Sequence, residues 1–162
     1  MNGPLHVERT HTFELPLPGH RALDLFTPVG EKAWVPGWEP VFLYPADGAL
    51  REHAAFTTTS VSEPVPTIWI VTRFEPDLLT VSYSRVTPGS RAGEVTVVVA
   101  PQSPSSCKVT VSYFFTALSQ AGNDYLASFT DEYFKAYISS WRDLIHAHLQ
   151  SKPESPEWHG AV

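Results

Sequence analysis

The chain has 162 residues, 43% of them hydrophobic and 17% charged, with a formal net charge of -6. A single domain of this length buries roughly 70% of its unfolded surface, so it needs no disulfide. Its lone cysteine, Cys107, excludes an internal disulfide framework and suits a reducing, cytoplasmic setting. The acidic balance, with no basic cluster to override it, speaks against nucleic acid. No apolar run approaches the ~18 residues of a membrane span, and the opening MNGPLHVERTHTF lacks the basic-then-apolar order of a signal peptide.

Residues 5–15 alternate, with Val7, Arg9, His11, Phe13 and Leu15 on one face, and are predicted to form a strand ended by Pro16 and Pro18. Residues 19–26 read as a short helix. Thr27 as N-cap and Pro28 at the first helical position start a second one over 28–34. The run WVPGWEP follows, with a turn signal at Pro36-Gly37. It reads either as tryptophans plugging a sheet edge or as a flap at a pocket mouth. Val41 to Tyr44, bounded by prolines, suits a short edge strand. Further strands are expected over 53–60, 67–74, 78–86, 91–100 and 107–117, joined by hairpin-length links, PQSPSS among them. Such links imply an antiparallel meander.

The C-terminal part carries one helical pattern, expected over Asp124 to Gln150, with Asn123 or Asp124 as cap. Leu126, Tyr133, Phe134, Tyr137, Ile138, Trp141, Leu144, Ile145 and Leu149 share one face of it. Strands segregated from a terminal helix give an α+β layer architecture, a curved sheet gripping the helix. Residues 1–150 form the domain. The tail 151–162 has the composition of a segment without a core, with Trp158 as the expected anchor on its own subunit or on that of a homodimer.

A plain packed core favours Leu, Ile, Val and Phe. Here the faces expected to point inward also carry Arg9, His11, Tyr83, Arg85, Tyr113, Tyr133, Tyr137 and Trp141. Trp69 belongs to a fourth strand whose two faces are both apolar. Each polar tip needs a partner or water if buried. The tips either emerge at the sheet edges or converge on a cavity with an apolar wall. Taken as a set they favour a cavity, with these nine residues as candidate ligand contacts.

Chemistry is hard to find in the sequence. GxSxG, HExxH, Walker A and GxGxxG are all missing. Cys107 lies mid-strand and reads as a small core residue, while His146 and His148 point to opposite helix faces and cannot chelate one ion. His11 is the weak catalytic candidate, as a base with Tyr83 or Tyr113 as donor. No metal or cofactor is implied.

Several local runs carry a family likeness: Phe26-Thr27-Pro28, Gly30-Glu31, Trp34 to Pro40, Phe56-Thr57-Thr58, Trp69, Phe74-Glu75-Pro76, Val111-Ser112-Tyr113, Thr116-Ala117-Leu118, Gly122-Asn123 and Trp141. Over roughly residues 5 to 150 the chain resembles the START-like, or SRPBCC, superfamily, and small bacterial polyketide cyclase/dehydrase-like members in particular. The resemblance implies a helix-grip fold, with a six- or seven-stranded antiparallel sheet around a C-terminal helix. It also implies binding of a small, mostly apolar ligand between sheet and helix. A cyclase or dehydratase using that cavity, and an interaction module with a closed core, are the alternatives. No catalytic residue transfers by position.

Overall fold

The structure, a computed structural model, describes residues 3–151. The tail from residue 152 on, with Trp158 and any dimer built upon it, lies outside the described residues.

Seven strands form one antiparallel sheet: β1 (His6–Leu15), β2 (Val41–Tyr44), β3 (Ala55–Thr58), β4 (Thr67–Glu75), β5 (Thr80–Thr87), β6 (Arg91–Ser103) and β7 (Ser106–Ala117). The order across the sheet is β1-β7-β6-β5-β4-β3-β2, so six strands run as a meander and β1 closes beside β7. Alternation sets the faces. In β7, Cys107, Val109, Val111, Tyr113, Phe115 and Ala117 are all buried, and Val95, Val97 and Val99 continue the layer in β6. The ambiguity of β4 resolves: Thr67, Trp69 and Val71 point inward, while Ile68 and Ile70 sit on the outer face. A register shift between Val71 and Arg73 changes the pairing with β5 beyond that point.

The short helix α1 (Gly19–Asp24) packs against β6 and β7. A 3-10 turn, Gly30–Ala33, stands where the second short helix is expected. Thr27 caps it: the Gly30 amide donates to Thr27 Oγ1 at 2.9 Å, and the hydroxyl donates to Asp24 O at 2.8 Å. The β6–β7 hairpin is longer than predicted, since pairing continues through Pro101 to Ser103 opposite Ser106 and absorbs most of the expected loop.

The helix expected over Asp124–Gln150 is two helices. The first, α2 (Gln120–Ala127), starts four residues early, because Ser119 caps it by accepting from the Gly122 amide at 3.2 Å. The second, α3 (Asp131–Ser151), has Phe134, Ile138 and Ile145 buried against the sheet. The break comes from Phe129, only 2% exposed, which turns into the core against Phe115, Phe134 and Tyr125. Thr130 then restarts the helix, its Oγ1 accepting from the Tyr133 amide at 3.1 Å, with Asp131 and Glu132 in the first turn where the helix dipole favours acids. Arg9 of β1 bridges the junction: its Nε donates to Phe129 O at 2.9 Å and lies 3.5 Å from Asp131 Oδ1.

A second arginine, this one fully buried, reaches α2. Arg91, 2% exposed, stacks on Tyr125 of α2 with 3.5 Å to the ring centroid and donates to Glu63 Oε1 at 3.1 Å. Glu63 belongs to the β3–β4 loop, so this pair links that loop to α2.

Candidate functional site

The sheet, α3 and the segment after α1 do not meet completely. Between them is a cavity of about 710 Å³. Phe56 and Thr58 of β3, Trp69 of β4, Tyr83 and Arg85 of β5, Val95 and Val97 of β6 and Tyr113 of β7 form its concave wall. Tyr137 and Trp141 of α3 face them, and Phe26, Glu31 and Trp34 close one end. The exposed lining residues belong to two loops, Pro36, Gly37 and Glu39 on one side and Thr59, Ser60 and Val61 on the other, which places the mouth between them.

The rings are held by both packing and hydrogen bonds. Trp34 donates its indole N–H to Leu25 O and Trp38 to Pro28 O, each at 2.8 Å. Buried Trp34 meets Trp141 edge-on at 5.7 Å, and Trp38 meets Trp69 edge-on at 5.8 Å. Gly37, at φ +73, supplies the left-handed residue that the Pro36-Gly37 turn requires. Within the WVPGWEP run, Trp34 is buried at one end of the cavity and Val35 to Glu39 line its mouth. Trp69 stacks on Phe56 at 5.7 Å and donates to Thr58 Oγ1 at 2.9 Å.

Arg85 is the cation in this space. Opposite Trp69 in register, it lays its guanidinium 4.9 Å from the Trp69 ring centroid and 5.6 Å from that of Phe115. Gly93 makes this possible. It sits in register between Arg85 and Phe115, and a Cβ there would fall 1.8 Å from Phe114 O and 2.8 Å from the Phe115 ring. The Arg85 Nε is buried without a hydrogen-bond partner.

Glu31 is half-buried as a residue, but its carboxyl group lies inside, and burial pushes its pKa up to about 8 against a smaller opposing pull from the Arg85 cation. Glu31 and Arg85 form no ion pair, since no carboxylate oxygen of the described residues comes within 4.0 Å of the Arg85 nitrogens. The tyrosines differ in what they have left to offer. Tyr83 gives its hydrogen to Phe26 O at 2.7 Å, and burial, aided by the Glu31 charge, pushes its phenol well above its ordinary range. Burial also raises Tyr137, offset by the Arg85 cation and by hydrogen bonding from Tyr113 and Trp141. Tyr113 is raised well above its ordinary value, by burial first and by the neighbouring Tyr137 second.

Six of the nine candidate contacts thus come together: Trp69, Tyr83, Arg85, Tyr113, Tyr137 and Trp141. Arg9, His11 and Tyr133 are not among the lining residues. Arg9 serves the helix junction. His11 sits between β1 and the outer flank of α3, 3.3 Å from Ser139 Oγ, its pKa lowered by partial burial and then by the Lys135 and Arg142 cations. Tyr133, 49% exposed, lies in the first turn of α3 and stacks on Tyr137 at 6.1 Å outside the cavity lining. His146 and His148, two residues apart and so about 200° around α3, point to opposite sides of it as expected, and both are half-buried.

Glu31 and Phe56 are lining residues that the sequence reading left out, while Trp34 and Trp38 entered it only through the WVPGWEP run. A signal for Glu31 existed: Trp34 and Val35 follow at three- and four-residue spacing, and both amides donate back to Glu31 O, so all three share one side of the turn. Among the described residues no three His, Cys, Asp or Glu side chains converge as a metal set.

No family model matches the chain, and no curated protein matches it in sequence. Solved structures do. Norcoclaurine synthase from Thalictrum flavum, in complex with dopamine and hydroxybenzaldehyde, superposes with a TM-score of 0.64 at 12% identity, over 94% of this chain and 91% of that one. The di-domain ARO/CYC BexL from the BE-7585A biosynthetic pathway superposes at 0.66 with 16% identity, over 91% of this chain and 48% of that one, so this chain spans about half of its length. Mll3558 from Rhizobium loti superposes at 0.58 with 16% identity, over 90% of this chain and 96% of that one. The fold is the helix-grip fold of START-like proteins.

Proposed function

We propose that this protein binds a small, mostly apolar, ring-bearing molecule in the cavity between sheet and α3, with Arg85 orienting its polar group. The observation that carries this reading is the open 710 Å³ space walled by aromatic faces. Apolar contact there contributes about 25 cal/mol per Å² buried, so micromolar affinity, about 8 kcal/mol, needs more than ~300 Å² of apolar surface covered. The fold neighbour solved with dopamine and hydroxybenzaldehyde supports small aromatic molecules as the class to try first. A cytoplasmic location, suggested by the single cysteine, is part of the same proposal.

Four of the five tryptophans, Trp34, Trp38, Trp69 and Trp141, line the space. Titration of intrinsic fluorescence with a panel of one- and two-ring aromatic compounds and fatty acids should give saturable quenching at micromolar concentration for aromatic members. If no compound quenches and native mass spectrometry finds nothing co-purified, the binding reading is wrong.

One observation favours a second reading, an acid–base enzyme of cyclase or dehydratase type. A carboxyl group with a pKa of about 8 inside an apolar cavity can give and take protons near neutral pH. In that reading Glu31 takes the role first considered for His11. Turnover of a bound aromatic carbonyl compound, lost in Glu31→Gln with binding retained, is the outcome that distinguishes catalyst from binder.

A further inference from the structure

The cavity holds a cation with no anion on it. Arg85 lies between two aromatic rings, its Nε out of water and unpartnered. A polar N–H taken from water without a partner is costly. Glu31 shares the space but stands apart from the guanidinium and is held largely as the neutral acid at neutral pH by burial. Both groups therefore present donors toward the room between them, N–H from Arg85 and O–H from Glu31, and neither satisfies the other. Tyr83 cannot supply the missing acceptor, because its hydroxyl is committed to Phe26 O.

We infer that the ligand is an aromatic carboxylic acid bound as its carboxylate, one face of the anion on Arg85 and the other toward the Glu31 carboxyl group. This inference rests on the binding reading above and narrows it to a substrate class. The aromatic walls hold the ring, and the carboxylate supplies both the counter-charge and the acceptor. A planar guanidinium fork suits a carboxylate better than a lone carbonyl oxygen.

The pairing makes binding fall as pH rises. The groups facing Glu31 are Arg85 and Tyr83 from β5, Tyr113 from β7 and Tyr137 from α3, with Glu39 at the mouth and Lys32 beside it, turned outward over the Phe42 ring. The three phenols are held neutral beyond the range in which Glu31 ionises. Once Glu31 loses its proton, two carboxylates confront each other and compete for Arg85.

Calorimetric titration with naphthoate and with its neutral isostere naphthamide, near pH 6.5 and near pH 9.5, tests this; naphthoate is anionic at both. The wild-type protein should bind the acid at least about tenfold more tightly than the amide at the lower pH. Arg85→Gln should erase that preference. Raising the pH should weaken naphthoate about tenfold or more in the wild type and leave it unchanged in Glu31→Gln. Equal binding of acid and amide, or a preference that survives Arg85→Gln, overturns the inference and leaves the binding reading standing. Failure of both compounds to bind overturns the inference, and overturns the binding reading too when no member of the fluorescence panel quenches and nothing co-purifies. A preference for the acid without pH response overturns the role of Glu31. The acid–amide comparison needs only wild-type protein, so a variant that fails to fold leaves the test intact.

Discussion

Glu31 shows how one side chain sets opposing demands on fold and site. Its pKa rises from 4.5 unfolded to about 8 folded, so between those values the folded chain holds a proton that the unfolded chain has released. Stability therefore falls as pH rises through that window and stays reduced above it. Glu31→Gln removes the penalty. Its melting temperature should match the wild type near pH 4.5 and exceed it by about 5 °C near pH 9, read by circular dichroism. An equal shift at both values would place the carboxyl group in water. His11 makes the opposite prediction for binding. It packs against Ser139 outside the cavity, so His11→Gln should leave the dissociation constant of any cavity ligand within about twofold. Local sequence separates these two residues only weakly, through the spacing of Trp34 and Val35 after Glu31. Both are lone titratable groups beside apolar ones, and only the three-dimensional course of the chain after α1 brings Glu31 inside.

Among the elements, the strands were legible and the helix junction was not. Alternation in β5, β6 and β7 assigned Val81, Tyr83, Val95, Val97, Val109, Val111 and Tyr113 to the inner face, where they are buried. Two neighbouring helices with compatible periodicity looked like one because the apolar stripe runs on from Leu126 to Phe134, while the Thr130 cap followed by two acids, a start signal in its own right, lay inside it. The energetic reason for the break is Phe129. Phe129→Ala should cost about 3–5 kcal/mol of unfolding free energy in urea, and Arg9→Met, which strips the junction of its bridge, about 1–2 kcal/mol. If Arg9→Met is neutral, the junction is held by Phe129 packing alone. Gly93→Ala tests the sheet beneath Arg85. A Cβ there meets Phe114 backbone, which cannot retreat as a side chain tip would, so a loss of more than ~1 kcal/mol is expected.

For the whole molecule, the order of elements dictated the architecture, because hairpin-length links leave few ways to join six strands and one terminal helical segment. The existence of a cavity was suggested by polar tips on inward faces, and six of those nine residues line it. Its volume was beyond sequence reasoning. That volume depends on how far α3 and the turn at Gly30–Ala33 stand off the sheet, a property of packing between distant segments. The two loops at the mouth were read unequally for the same reason. Trp34 and Trp38 announced one, whereas the loop between β3 and β4 has little but Ser60, Val61 and Ser62 to mark it.

That inequality has a kinetic meaning. One lip is fastened by two indole hydrogen bonds to the carbonyls after α1. The opposite loop is tied across to Arg91, and so to Tyr125, through Glu63. If the cavity takes a ligand as proposed, opening of the Glu63 tie would set the rate of traffic through the mouth, while the resting affinity would depend on the lining rings and Arg85, which Glu63 itself does not contact. Glu63→Gln should raise the association and dissociation rates of a cavity ligand together, by severalfold in stopped-flow fluorescence, with their ratio nearly unchanged. A change confined to the dissociation rate would mean that Glu63 shapes the bound state instead of gating it.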